Sequence, residues 1–409
     1  MKNPMKLILA LCLVLSSIQM AHAQKKENVN LVVGTFNEEG LQVFEFNDET
    51  GDVQLRNKLK TPGAIFIRAS KDYKYLYTVS NENNEGFVNT YAFNPQTAEL
   101  KFLNKVSSKG SSPSYITTDE KEAYAFVSHF ASGNVSVFPI QKNGTIGEAT
   151  QVIQHTGVGV NPLRQDRPRA HSTVFTPDHK YLMVGELGLD KIMMYKYDPT
   201  NQMEPLSPAQ TPFFTEKPGS GSRMIVNHPN KKFIYSIQEI TAEITGYTYR
   251  DGILRKIQSV PMVADSTAEN VKLAADIQIS PDGKFLYASN RANSNDIVIY
   301  SIDAKTGRLE FKGRQSSLGR SPRYFAIDPT GNYLIVSNMG AGGGRRGGPP
   351  GTPGQPAAAP VAPPTPQPPP VPSTIIVFKR DKNTGLLTDT GKKIDIIQPG
   401  FLMFIPLPK

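Results

Sequence analysis

Six times along the chain an alternating apolar run is followed by a tight turn and a second apolar run. The clearest copies read AADIQISPDGKFLYASN from Ala274 and PRYFAIDPTGNYLIVSN from Pro322, with weaker ones starting at Ile65, Ser114, Ala170 and Arg223. Strict alternation puts successive side chains on opposite faces of a strand, and Pro, Asp, Asn or Gly between two such runs makes a hairpin. The copies recur at a spacing of roughly 50 residues, the period of propeller blades or solenoid arrays. Most are followed by a third and a fourth run, as in DIVIYSID-AKTG-RLEFKG and VNTYAFN-PQTA-ELKFLN. Four antiparallel strands per repeat predict one propeller blade.

The first segment, NLVVGTFNEEGLQVFEFNDETGDVQLRNKL, supplies only three strands, because no inner strand precedes it. The missing strand is found in PGFLMFIPL from Pro399. The expectation is therefore an all-β chain whose residues 24–409 form a single seven-bladed β-propeller. Its ring is closed by the C-terminal strand, which removes exposed sheet edges. Sixteen Tyr and twenty Phe suit such strands, and no stretch after the N-terminus keeps a helical apolar period over several turns.

Two segments fall outside the pattern. Lys2 and Lys6 precede the apolar run LILALCLVL, and Ala21-His22-Ala23 offers a small-x-small cleavage site. Residues 1–23 thus read as a secretory signal peptide, giving a periplasmic or secreted protein with no membrane span. Cys12 is the single cysteine, so the exported chain has no disulfide, iron–sulfur ligand or cysteine nucleophile. Residues 340–373 are almost entirely Gly, Pro and Ala and interrupt the last blade. Such composition cannot bury a core and reads as a disordered insertion. Lengthening a hairpin this way costs roughly 2 kcal/mol of closure entropy, which a large ring tolerates.

The formal charge is +9, or +7 without Lys2 and Lys6. The basic residues are scattered, so nucleic acid is not an expected partner, whereas a mild positive field favours anionic small molecules. No GxSxG elbow, GxxxxGK[ST] loop or HExxH helix is present, and no metal-ligand spacing stands out. No metal or other cofactor is expected.

The repeat allows blades to be compared position by position. In a blade the innermost strand starts at one rim and the second strand returns to it, so those two ends meet at the channel mouth. Six residues before the turn proline stand His171, Arg223 and Arg323; ten after it stand Glu239 and Arg291. Small or neutral residues would serve a purely structural ring. Glu239 or His171 can act as a general base toward water. Arg223 and Arg291 can hold an anionic group or a developing oxyanion. Arg323, Glu186 and His129 are expected to contact substrate at the same rim, although Asp276 and Glu186 are also natural ion-pair partners for the arginines. His179 and His228 fall in far-side turns, and His155 in a loop without pattern.

At these residues the chain resembles the seven-bladed propeller lactonases, which include propeller-type 6-phosphogluconolactonases and carboxy-muconate lactonising enzymes. The resemblance runs through RAHSTVFTPDHKYLMVGELGLDKIMMYKYD, PGSGSRMIVNHPNKKFIYSIQE and SPDGKFLYASNR. Arg169 stands in place of the motif's first His, Ser222 and Met224 flank Arg223 where Pro and His are usual, and Glu186 replaces an Asp. The resemblance places catalytic His, Arg, Glu and Arg on His171, Arg223, Glu239 and Arg291. It implies a lactone hydrolase opening an anionic or sugar-acid lactone, and the chain is expected to be a monomer. The competing expectations are a non-catalytic periplasmic binding or scaffold propeller, and a lactone-forming cycloisomerase.

Overall fold

The computed structural model describes residues 28–263, 272–292, 294–340 and 372–407. The expected signal peptide, residues 1–23, and nearly all of the 340–373 insertion lie outside the described residues.

The alternating runs fold as seven four-stranded antiparallel sheets. In each complete blade, numbered here along the chain, four strands follow one another from the centre outward. The inner strands of blades 2 to 7 are Phe66–Ala69, Pro113–Thr118, Ala170–Phe175, Ser222–Asn227, Ala274–Ile279 and Pro322–Ile327. Blade 1 takes its second, third and outer strands from Asn28–Thr35, Leu41–Asn47 and Val53–Leu59. Its inner strand is Pro399–Pro406, paired to Asn28–Thr35. Successive inner strands touch one another all the way round, and Pro399–Pro406 touches those of both blade 7 and blade 2, so the ring is closed.

Burial follows the same order. Second strands such as Tyr333–Asn338 are buried along their whole length, while an outer strand such as Leu309–Ser316 buries little beyond its first residue. The blades are joined by a repeated contact. The aromatic residue opening a second strand packs on a left-handed glycine in the third-to-outer turn of the next blade. Phe233 meets Gly307, Phe285 meets Gly385 and Tyr333 meets Gly51. Gly307 and Gly51 hold φ of +70° and +76°, and a Cβ on either would lie 2.6 Å from the facing ring. Only glycine allows both the turn and that approach. Hydroxyls add to the seam: Tyr235 donates to the Gly307 carbonyl at 2.8 Å and Tyr287 to that of Gly385 at 2.7 Å.

One irregularity matters for function. Most inner strands lose register with their second strand just after their first residue. The shift falls between Pro113 and Tyr115, Ala170 and Ser172, Ser222 and Met224, Ala274 and Ile277, and Pro322 and Tyr324. The extra residue in such a β-bulge is unpaired and re-aimed. In blades 4, 5 and 7 that residue is His171, Arg223 and Arg323.

Candidate functional site

The bulges explain why the position six before the turn proline carries chemistry. The position ten after it is the residue just past the second strand, held by one further rung: Glu239 N donates to Gly221 O at 2.8 Å, and Arg291 N to Leu273 O at 3.0 Å. The two sets of side chains converge at one rim, on the side of the ring formed by blades 4 to 7.

Glu239 is the centre of the cluster and is 1% exposed. Its Oε2 accepts from Arg223 Nη1 at 2.5 Å and Arg291 Nη2 at 3.0 Å. Both guanidiniums are fixed from behind: Arg223 Nε donates to Ala275 O at 2.7 Å, and Arg291 Nη2 also reaches Ala274 O at 3.1 Å. Its other oxygen, Oε1, is taken by Arg164 Nη2. Burial alone would raise the carboxyl's pKa, but Arg223, Arg164 and Arg291 overcome it and hold Glu239 well below the usual carboxylate range. Arg323 is half-buried, lies over the Phe36 ring at 5.0 Å, and acts electrostatically on Arg223 and Arg291. Four guanidiniums surround one fully ionised carboxylate, with Asp276, pushed up to about 7 by burial, acting on Arg223, so the cluster carries a net positive charge.

His171 is 1% exposed and packs edge-on against Phe130, with ring centroids 5.8 Å apart. Ser114, the bulge residue of blade 3, donates to the His171 carbonyl at 2.9 Å and fixes its backbone. Burial first, then Arg223, pushes the imidazole well below its ordinary pKa, with Glu239 opposing. The ring is therefore neutral at physiological pH. His171 Nδ1, Arg223 Nη2 and Arg323 Nε are buried without a hydrogen-bond partner among the described residues. Leaving such groups unpaired costs about 1–3 kcal/mol each, so an anion that accepts from the two guanidinium nitrogens recovers that part of the cost.

Arg164 was not among the expected residues. It lies in the connection between Gln154 and Ala170, which is longer than those joining Ser107 to Pro113 or Ser316 to Pro322. Comparison of the repeated phrase across blades does not reach a residue in a connection between blades. The turn carrying it is tied down by Gln165, whose Nε2 donates to Leu187 O at 2.9 Å and Asp190 Oδ1 at 2.7 Å. Asp190 also accepts from Gly219 N and Gly221 N, both at 2.7 Å. One buried carboxylate thus joins the Arg164 turn to the glycine-rich entry of the Arg223 strand.

Two expected substrate contacts are placed elsewhere. His129 is buried, with Nε2 2.8 Å from Ser108 Oγ and Nδ1 donating to Asn134 O at 3.2 Å. Burial pushes its pKa down to about 4. Glu186 accepts from Arg169 N and Gly188 N and pairs with His155, which in turn meets Tyr195 OH at 2.9 Å. Both residues close their second strands, one position before the channel-facing one, and alternation turns their side chains into the blade seams. They anchor rim loops. His155, expected to be patternless, is part of that anchoring. Among the described residues Asp276 is no arginine's hydrogen-bond partner either: it accepts from Ile277 N at 2.9 Å and Phe325 N at 3.2 Å, and burial pushes it up to about 7.

The matching of this geometry to known proteins is extensive. A family model for the lactonase seven-bladed β-propeller matches residues 30–342. The 6-phosphogluconolactonase of Formosa agariphila is 34% identical over 318 residues, covering 76% of this chain and 89% of that protein. The 6-phosphogluconolactonase of Bacillus subtilis is 29% identical over 381 residues, covering 91% and 97%. Among solved structures, a periplasmic gluconolactonase of Pseudomonas aeruginosa superimposes with a TM-score of 0.82 at 27% identity, covering 93% of this chain and 100% of that one. With the closed ring of seven four-stranded blades, these matches place the chain in the seven-bladed β-propeller lactonase family.

Proposed function

We propose that the protein hydrolyses a negatively charged, sugar-derived lactone of the 6-phosphogluconolactone type, and that it does so outside the cytoplasm after removal of residues 1–23. The observation carrying the anionic substrate is the charge imbalance at the rim: one carboxylate, four guanidiniums, and buried donors left over. The names of the relatives support the lactone.

In this reading His171 is the general base. It is neutral and has an unpartnered Nδ1, whereas Glu239, held by three guanidiniums, is a poor base. Water attacks the lactone carbonyl as His171 accepts its proton. The carbonyl π electrons move onto oxygen, and that oxyanion is held by Arg223 and Arg291. Collapse breaks the ring C–O bond, and the imidazolium returns the proton to the departing alkoxide. The products are a free hydroxyl and a carboxylic acid, which ionises to the carboxylate and releases its proton to solvent. Glu239 keeps its charge throughout and fixes the two inner guanidiniums. The substrate's negative group offsets the cations that depress His171, so an anionic lactone raises the basicity of the group that attacks it.

The pH profile tests this assignment. With uncharged glucono-δ-lactone, no substrate group titrates, and kcat/KM reports the free enzyme. The active form of His171 is neutral and its folded pKa lies below 6.5. Activity should therefore hold as pH falls from neutrality through 6.5 and decline only lower. A profile already half-lost at or above pH 6.5 would mean that His171 is not the base.

A further inference from the structure

Resting on that reading, we propose that Arg164 is a specificity-determining residue, the mouth cation that leaves Glu239 to receive the substrate's anionic group. The three guanidiniums around Glu239 are not equivalent. The side chains of Arg223 and Arg291 are 2% and 7% exposed, whereas that of Arg164 is 38% exposed. The inner pair is bonded to backbone carbonyls of the blade 6 inner strand, Ala275 O and Ala274 O. Among the described residues Arg164 makes its hydrogen bond to Glu239 and lies 5.8 Å over the Phe130 ring, while its Nε has no partner.

Solvent therefore reaches the cluster from the Arg164 side, and an entering anion meets this guanidinium first. Moving it costs one ion pair, and Glu239 keeps its charge because Arg223 and Arg291 remain on Oε2. The backbone beneath does not have to move, since Asn161 Oδ1 accepts from Leu163 N at 3.1 Å and Arg164 N at 3.2 Å while Gln165 is tied to blade 4. A fixed turn with one swinging side chain suits exchange of one carboxylate partner for another anion. A guanidinium fork also matches a phosphate or carboxylate in a way that an ammonium cannot.

The test is the ratio of kcat/KM for 6-phosphoglucono-δ-lactone to that for glucono-δ-lactone. In Arg164→Ala the ratio should fall about 10- to 100-fold, the size of one charge-assisted hydrogen bond. Arg164→Lys should recover only part of it. Leu163→Ser, at a neighbouring side chain outside the cluster, should leave the ratio at the wild-type value. A merely structural role would lower both substrates together, so an unchanged ratio in Arg164→Ala overturns the proposal. Calorimetric binding of 6-phosphogluconate to the same proteins gives an independent readout. Should wild type open no lactone, the catalytic reading fails, yet a 10- to 100-fold weaker binding in Arg164→Ala (about one charge-assisted bond) still supports the mouth cation. Equal binding refutes it.

Discussion

Replacing Glu239 with Gln should cost the protein both activity and stability. The amide keeps the shape of the carboxylate, but it removes the only carboxylate hydrogen-bonded to Arg223 and Arg291 among the described residues and turns an NH2 toward a guanidinium. Two buried cations are then uncompensated, a change worth about 3–5 kcal/mol in a buried pair. The same two groups hold the developing oxyanion, and loss of one well-placed donor slows catalysis by about a hundred- to thousandfold. Glu239→Gln should therefore show kcat/KM on a phosphorylated lactone reduced by at least about a hundredfold, together with an earlier denaturant midpoint. A variant that keeps a tenth of wild-type activity would show that Glu239 does not organise the site.

Truncation after Gln398 should have the larger structural effect. The removed segment is the inner strand of blade 1, and within it Leu402 and Ile405 are 2% and 0% exposed. It also carries the contacts that close the ring: Ser337 Oγ donates to Pro399 O at 2.9 Å, and Phe66 stacks on Phe401 with centroids 3.8 Å apart. Losing two such side chains alone costs about 4–10 kcal/mol on the scale of 2–5 for each Leu or Ile. The second strand Asn28–Thr35 would become an open edge as well. The truncated chain should lose its cooperative thermal transition and aggregate, and a peptide of residues 399–406 added in trans should restore part of the transition. Melting within a few degrees of the full chain would mean that the closing strand is dispensable.

Much of this architecture was legible because a repeat reports on itself. The missing first copy and the orphan run at Pro399 together give the closure, since a blade short of its inner strand needs one from elsewhere. The position six before the turn proline could be picked out without knowing the reason for its behaviour. The reason is a bulge, which periodicity alone does not reveal, because the alternation resumes one residue later. His129 and Glu186 stand one position short of the channel-facing one. They sit at the strand end, and a single step along a strand turns a side chain from the channel to the blade seam. Arg164 was illegible for a different cause, as it comes from a long connection between blades, outside the strand–turn–strand phrase that the copies share. The pairing of His155 with Glu186 spans separate blades and leaves no local trace in the sequence.

One measurement tests water attack on a lactone most directly: the opening of 6-phosphoglucono-δ-lactone by purified protein in water labelled with oxygen-18, beside buffer alone and His171→Ala. Wild type should open the lactone faster than buffer, with the label entering the product carboxylate, because water attacks the carbonyl carbon. His171→Ala should lose about a hundred- to ten-thousandfold of the catalysed rate. A wild-type rate equal to that of buffer, or label found on the released hydroxyl, would contradict it.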